Sequence, residues 1–283
     1  MKTFKIFSIA ALALMMAACN SEDSVLDNNP VTGQQILFSA TIAAPGSGAT
    51  TRTIYTEQTD NGTIKVSWKE GDEIALIHSG KKDVVTVKTV NADGSAIISG
   101  TITVGTNGED VLAYYPAASV ELNSDYNPVP HEAYAQKMFE QDGTLKYIQD
   151  NLDKREGAGK LEVSGNKASL SAALSLESQI AICKLTLQDK SDTPAAISAN
   201  KVTMTMILQD ETTVTLAATS TLDTATSTVY LAVPAVSGAI TVIANTNTDI
   251  SYKYTYEDIN IVAGKYYQST LTLSPPFAED LER

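Results

Sequence analysis

The sequence is poor in the residues from which active sites are usually built. Its 283 residues include two cysteines, two histidines and one tryptophan. No HExxH, GxSxG or P-loop pattern occurs, so zinc proteolysis, serine hydrolysis and nucleotide triphosphate chemistry lack their usual signatures. The acids Asp60, Asp93 and Asp110 stand in turns without the spacing of a calcium loop. His78 closes the run Glu73–His78, and His131 stands beside Glu132, a pairing common by chance. No catalytic residue, metal ligand or cofactor is expected. Charge is also scarce, at 19% of residues, and the net charge is −13. A chain this acidic is repelled by phosphate backbones, which excludes nucleic acid as a partner class.

What the chain does hold is 43% apolar residues and many Thr, Ser, Val, Ile and Tyr. That is enough to pack a core, and the β-branched and aromatic share favours strands over long helices.

The N-terminus reads as an export signal. Lys2 and Lys5 precede the apolar run Ile6–Ala18, which is too short to span a membrane and suits a signal peptide. Met16-Ala17-Ala18-Cys19 resembles a bacterial lipobox, with Met16 where Leu is usual. That resemblance implies removal of residues 1–18 and a palmitate-type lipid on Cys19. The plainer alternative is an Ala-type secretory cleavage with Cys19 incidental. Asn20 gives no signal for inner-membrane retention, and Ser21-Glu22-Asp23 resembles a short acidic surface-export tag. After cleavage Cys183 is the only unmodified thiol, so no intrachain disulfide can form. Stability has to come from packing.

Residues 19–33 read as a tether. Gln34–Ala44 alternates, with Ile36, Phe38, Ala40 and Ile42 on one face of a half-buried strand. A loop over 45–51 follows, then a hairpin turning at Asn61-Gly62. Short strands separated by turns are expected near 63–68, 73–77, 83–90, 96–104 and 110–116. Residues 117–160 look different. Leu145, Ile148 and Leu152 form one helical stripe over 144–154, and Gly157-Ala158-Gly159 reads as its terminator. From Lys160 the strand pattern resumes and runs to 265–273. Threonines crowd residues 201–228, as on a wet strand face. The expected architecture is all-β: two antiparallel β-sandwich domains, 34–160 and 161–283, with one short helix near their connection.

Four segments resemble the fimbrillin family of Gram-negative anaerobes, the subunits of type V pili and related surface proteins. They are Thr51-Arg52-Thr53 after the first strand, Val66–Ile74 with its Trp68-x-x-Gly71-Asp72, Val111–Pro116 with its Tyr-Tyr-Pro end, and Ala263–Leu273 as a closing strand. They occur in the family's order over nearly the whole mature chain. Locally, Trp68 is also what a core aromatic at a strand end looks like, with Gly71 and Asp72 forming the turn. The resemblance implies transthyretin-like sandwiches and a role in a pilus (fimbrium) and in cell adhesion. It also implies an exported lipoprotein of the outer membrane and cell surface.

The resemblance further implies a route of assembly. In pilus-forming members an arginine-specific protease cuts the loop after the first strand. Here the cut falls between Arg52 and Thr53 and removes the strand carrying Ile36, Phe38, Ala40 and Ile42. A removed strand leaves unpaired backbone groups and an apolar groove, which a strand donated by another pilus subunit can refill. The chain is not expected to pass a strand onward: Pro275 and Pro276 lack ladder donors, and 277–283 is mostly charged. An accepting subunit that does not donate fits a tip or accessory place and an unknown adhesion ligand. The alternatives are a lipid-held pilus anchor, or a stand-alone surface lipoprotein binding glycans.

Overall fold

A computed structural model describes residues 33–45, 56–58, 63–207, 213–219, 227–246, 248 and 250–274. The leader, Cys19, the tether, Arg52, Thr53, the Asn61-Gly62 turn and residues 275–283 lie outside the described residues.

Among the described residues, seven strands close the barrel of the first half: β1 Gln35–Ile42, β2 Glu73–His78, β3 Lys81–Val90, β4 Ala96–Thr103, β5 Asp110–Tyr115, β6 Arg155–Ser164 and β7 Lys167–Leu170. They pair in the order β1-β4-β3-β2-β5-β6-β7, and β7 returns to β1. All joints are antiparallel except β7–β1, which is parallel. The first half is therefore a closed barrel, not the expected antiparallel β-sandwich. Closure removes the free edges that a two-sheet arrangement would leave. Inward positions alternate along each strand and fill one core with residues such as Phe38, Leu76, Ile98, Ile102 and Leu161.

The second half has β8 Ile180–Asp189, β9 Ala199–Ile207, β10 Thr213–Thr219, β11 Thr228–Pro234, β12 Val236–Thr246, β13 Ser251–Ile261 and β14 Tyr266–Leu273. One sheet is β10-β9-β12-β13, with Glu140–Gln141 added beside β10; the other is β11-β8-β14. Both contribute to one apolar core, including Leu185, Met204, Leu216, Leu231, Val242 and Leu271. Cys183 is buried in it, and burial pushes its thiol up to about 12, so it is a small apolar filler. The threonines decorate the outer face in cross-strand pairs, Thr205 with Thr215 at 3.1 Å and Thr241 with Thr255 at 3.2 Å between hydroxyls.

The boundary expected between 160 and 161 falls inside β6, whose ladder runs to β5 and β7 of the barrel. Gly157 and Gly159 do not end a helix. They lie in the middle of β6 opposite Ala113 and Val111. A Cβ on Gly157 would lie 2.1 Å from the Ser175 carbonyl oxygen, so glycine is there for close backbone approach.

Between β5 and β6 the chain leaves the barrel and returns. It forms the hairpin Val120–Leu122 with Pro128–Pro130, then α1 Glu132–Gln136 and α2 Leu145–Asn151. Thr144 caps α2 by accepting the Tyr147 N–H at 3.0 Å, and Ile148 and Leu152 are fully buried. Residues 139–143 lie along the second half. The buried Gln141 side chain mimics a strand partner: Oε1 accepts the Ala232 N–H at 2.8 Å and Nε2 donates to the Ala232 carbonyl at 2.9 Å. Ala217 N–H donates to Phe139 O and Tyr230 N–H to Gly143 O. The excursion thus pairs with the edge strands β10 and β11. At the return point Arg155 is wholly buried, donating to Asp153 at 3.3 Å and to the Leu176 carbonyl at 3.1 Å.

Candidate assembly slot

The first strand is built to be held by its side chains from within and by its backbone at both edges. Ile36, Phe38, Ala40 and Ile42 are all buried in the barrel, while Gln35, Leu37 and Ser39 face out. Phe38 pairs with Gly100, which stands on the inward face of β4 between Ile98 and Ile102. A Cβ on Gly100 would press to 3.3 Å on Val84 and Val85, so the tight spot is kept free of a side chain opposite the Phe38 ring.

The two edges are unequal. Against β4 the register is continuous from Gln35–Thr103 to Ile42–Ala96. Against β7 only Leu37–Lys167 and Phe38–Ala168 pair, followed by an isolated bridge between Ile42 and Leu174. That edge is secured by Leu37 N–H to Asn166 O at 3.3 Å, Ala43 N–H to Leu174 O at 2.8 Å and Leu174 N–H to Thr41 O at 2.9 Å. Residues 39 and 40 take no strand partner there.

Each end of the slot carries a different plug. Where β1 ends, Trp68 is buried and its Nε1–H donates to the Ala43 carbonyl at 2.9 Å. Its ring meets Tyr115 edge to face, 5.4 Å between centroids. Tyr115 is in the core and Tyr114 half-buried outside it. Gly71, at φ +92°, makes the following turn, where Asp72 accepts the Lys69 N–H at 2.9 Å.

Where β1 begins, the plug is polar. His78, Asp83 and Glu109 continue the inward parity of β2, β3 and β5 into one mouth of the barrel. His78 Nε2 lies 3.1 Å from Asp83 Oδ2 and Nδ1 lies 3.0 Å from Glu109 Oε1. Ser79 donates to Glu109 at 2.6 Å, and its φ of +48° belongs to the Ser79-Gly80 turn of the β2–β3 hairpin. Gly105 makes room for this cluster, since a Cβ there would fall 1.5 Å from Glu109 Oε1. In the sequence His78 only closes its strand run; its parity with Ile74 and Leu76 is the signal that places it in the mouth. His131 forms no such cluster. It stands at the N-cap of α1 and makes no side-chain cap bond.

Of the loop acids, Asp60 lies outside the described residues, Asp93 serves a turn and Asp110 opens β5. Asp93 accepts from Ser95 N–H and Oγ–H, which holds its carboxyl below the usual range, and Asp110 pairs with Lys160 at 2.8 Å. No group of three His, Cys, Asp or Glu side chains is placed to hold a metal ion among the described residues. A cleft of about 350 Å3 lies beside α1, lined by Tyr134, Met138, Phe139, Leu152, Ile180 and Pro234 among others.

No family model and no curated protein matches the chain. Solved structures do. A candidate cell adhesion protein of Bacteroides fragilis is 12% identical, with a TM-score of 0.48 over 84% of this chain and 93% of that one. A fimbrial protein of Bacteroides ovatus is 15% identical at 0.40, covering 86% of this chain and 49% of its own length. A fimbrial assembly protein of Parabacteroides distasonis is 14% identical at 0.38, over 84% and 91%. At these distances none carries a conclusion about this chain. These three structures are of fimbrial and cell adhesion proteins.

Proposed function

We propose that this protein is a non-enzymatic fimbrial subunit of the bacterial cell surface, acting in adhesion and joined to its neighbours by exchange of β1. It is held to the outer membrane through a lipid on Cys19 until a cut between Arg52 and Thr53. The observation that carries this reading is the form of the slot. β1 supplies a full inward face to the barrel, and its β7 edge is held at only a few points. Its loss would leave two facing strand edges and an apolar trough, a template for one incoming strand and no other element.

The arginines support the choice of cutting site. The chain has arginine only at 52, 155 and 283. Arg155 is wholly buried, so a protease that reads arginine in the folded protein is left with Arg52 and the terminal residue. Pro275 and Pro276, which follow Ser274 in the sequence, cannot donate ladder hydrogen bonds, which suits a subunit that accepts a strand at a tip or accessory place.

The test is treatment of the lipidated precursor with an arginine-specific protease, followed by mixing with fimbrial subunits from the same bacterium. A large fragment beginning at Thr53 and a heat-sensitive ladder of oligomers are expected. A precursor that resists the protease, or a fragment that enters no oligomer, overturns the reading.

A further inference from the structure

The polar plug at the start of β1 has a property that closing the barrel does not require. Both contacts of the buried His78 ring are with carboxylates. An ionised carboxylate only accepts, and an imidazole donates from both nitrogens only when protonated. With a neutral ring, one of the two contacts sets a lone pair against a lone pair. The cluster is complete with an imidazolium and one hydrogen bond short without it. Burial alone would lower the His78 pKa, but the hydrogen bonds and charges of Asp83 and Glu109 outweigh it and hold it above 6.5. Burial would likewise raise Asp83, yet His78 and Thr103 hold it below 3.8. Among the described residues, the further charge on this face is Lys81, exposed and opposite His78 across the hairpin. Thr103 of β4, Gly105 and Ser79 bring none.

Asp83 also holds the strand that holds β1. Its Oδ2 accepts the Thr103 N–H at 2.8 Å, and its Oδ1 accepts the Thr103 hydroxyl at 3.2 Å. Thr103 Oγ1 in turn accepts from Gln35 Nε2 at 2.9 Å, and Thr103 stands opposite Gln35 in the register. Val104 N–H donates to Gln34 O at 2.7 Å. A line of hydrogen bonds therefore runs from His78 through Asp83 and Thr103 to the first residue of β1.

We propose that the His78–Asp83 contact is a proton-operated clip on the start of β1, closed when the ring is protonated and loosened when it is not. The slot then opens more readily in mildly alkaline than in mildly acidic surroundings. The clip is a property of the barrel; only its use in strand exchange rests on the function proposed above.

The experiment is amide hydrogen exchange by NMR on the full chain between pH 5.5 and 8.5, with the His78 ring titrated in the same samples. Protection at Thr103 and Val104 is compared with that at Val85 and Ile98, which cancels the intrinsic pH dependence of exchange. The ratio is expected to fall about tenfold, the equivalent of one pKa unit, with the midpoint of the ring titration. It should stay flat in His78→Gln, and also in Asp83→Asn, which keeps an acceptor for Thr103 but loses the charge. A flat ratio in the natural chain, or a fall that survives in either variant that folds, overturns the clip. A separate arm compares cutting after Arg52 at pH 6 and pH 8, each relative to a free peptide of residues 48–56. Cutting that never occurs while the exchange result holds tells against strand exchange and leaves the clip standing.

Discussion

The two mouths of the barrel are closed by opposite chemistry. At one, Trp68 and Tyr115 pack edge to face and an indole N–H ties down Ala43, just past the end of β1. At the other, His78 stands between two carboxylates and the line of hydrogen bonds ends on Gln35. The aromatic end is built from two packed rings and an indole hydrogen bond. The polar end has little area and depends on one proton. A strand fixed at one end and adjustable at the other can peel from a chosen side.

The largest expected effect is at the aromatic end. Trp68→Ala should cost about 3–5 kcal/mol of unfolding free energy, as for other large buried aromatics. Denaturant unfolding at pH 6 and pH 8.5 should give the same cost, because its partners are a backbone carbonyl and an aromatic ring. A strongly pH-dependent cost would erase the contrast between the mouths.

Gly105→Ala acts on the polar end. Its Cβ displaces Glu109 and crowds His78 Nδ1, which it would approach to 2.9 Å. Losing one satisfied partner of a buried group should cost about 1–3 kcal/mol. The sign of its pH dependence follows from the raised His78 value. The stabilisation carried by protonated His78 is fully present below 6.5 and fades as pH rises through the folded value. The substitution should therefore cost more at pH 6 than at pH 8.5. Asp83 works in the other direction: its contribution fades as pH falls through its depressed value, so pH 6 leaves it ionised.

Gln35→Ala should have the smallest effect, about 0.5–1 kcal/mol, because its hydrogen bond to Thr103 is exposed. It should nevertheless weaken the coupling between the His78 titration and exchange at Val104. Equal coupling in this variant would show that the line of hydrogen bonds does not end where it is drawn.

Much of this fold is legible in the residues. The alternation of 34–44 names the inward face of β1, and the stripe of Leu145, Ile148 and Leu152 names α2. The closure of the barrel is not legible. It depends on a parallel joint between Leu37–Phe38 and Lys167–Ala168, and nothing local encodes a contact so distant in sequence. Gly157 misleads because a helix terminator and a close approach of two backbones both call for glycine. α1 has a single short turn with no buried residue, so it has no stripe to read. The His78 cluster was readable only by carrying strand parity past the ends of three apolar runs.

The most direct measurement follows β1 itself. Protein cut after Arg52 is mixed with an excess of isotope-labelled peptide of residues 33–45 and weighed intact by native mass spectrometry. Labelled peptide is expected to replace the original segment one for one, faster at pH 8 than at pH 6, while the rest of the chain stays folded. A chain that remains uncut, unfolds once the segment leaves, or keeps its original strand without exchange contradicts it.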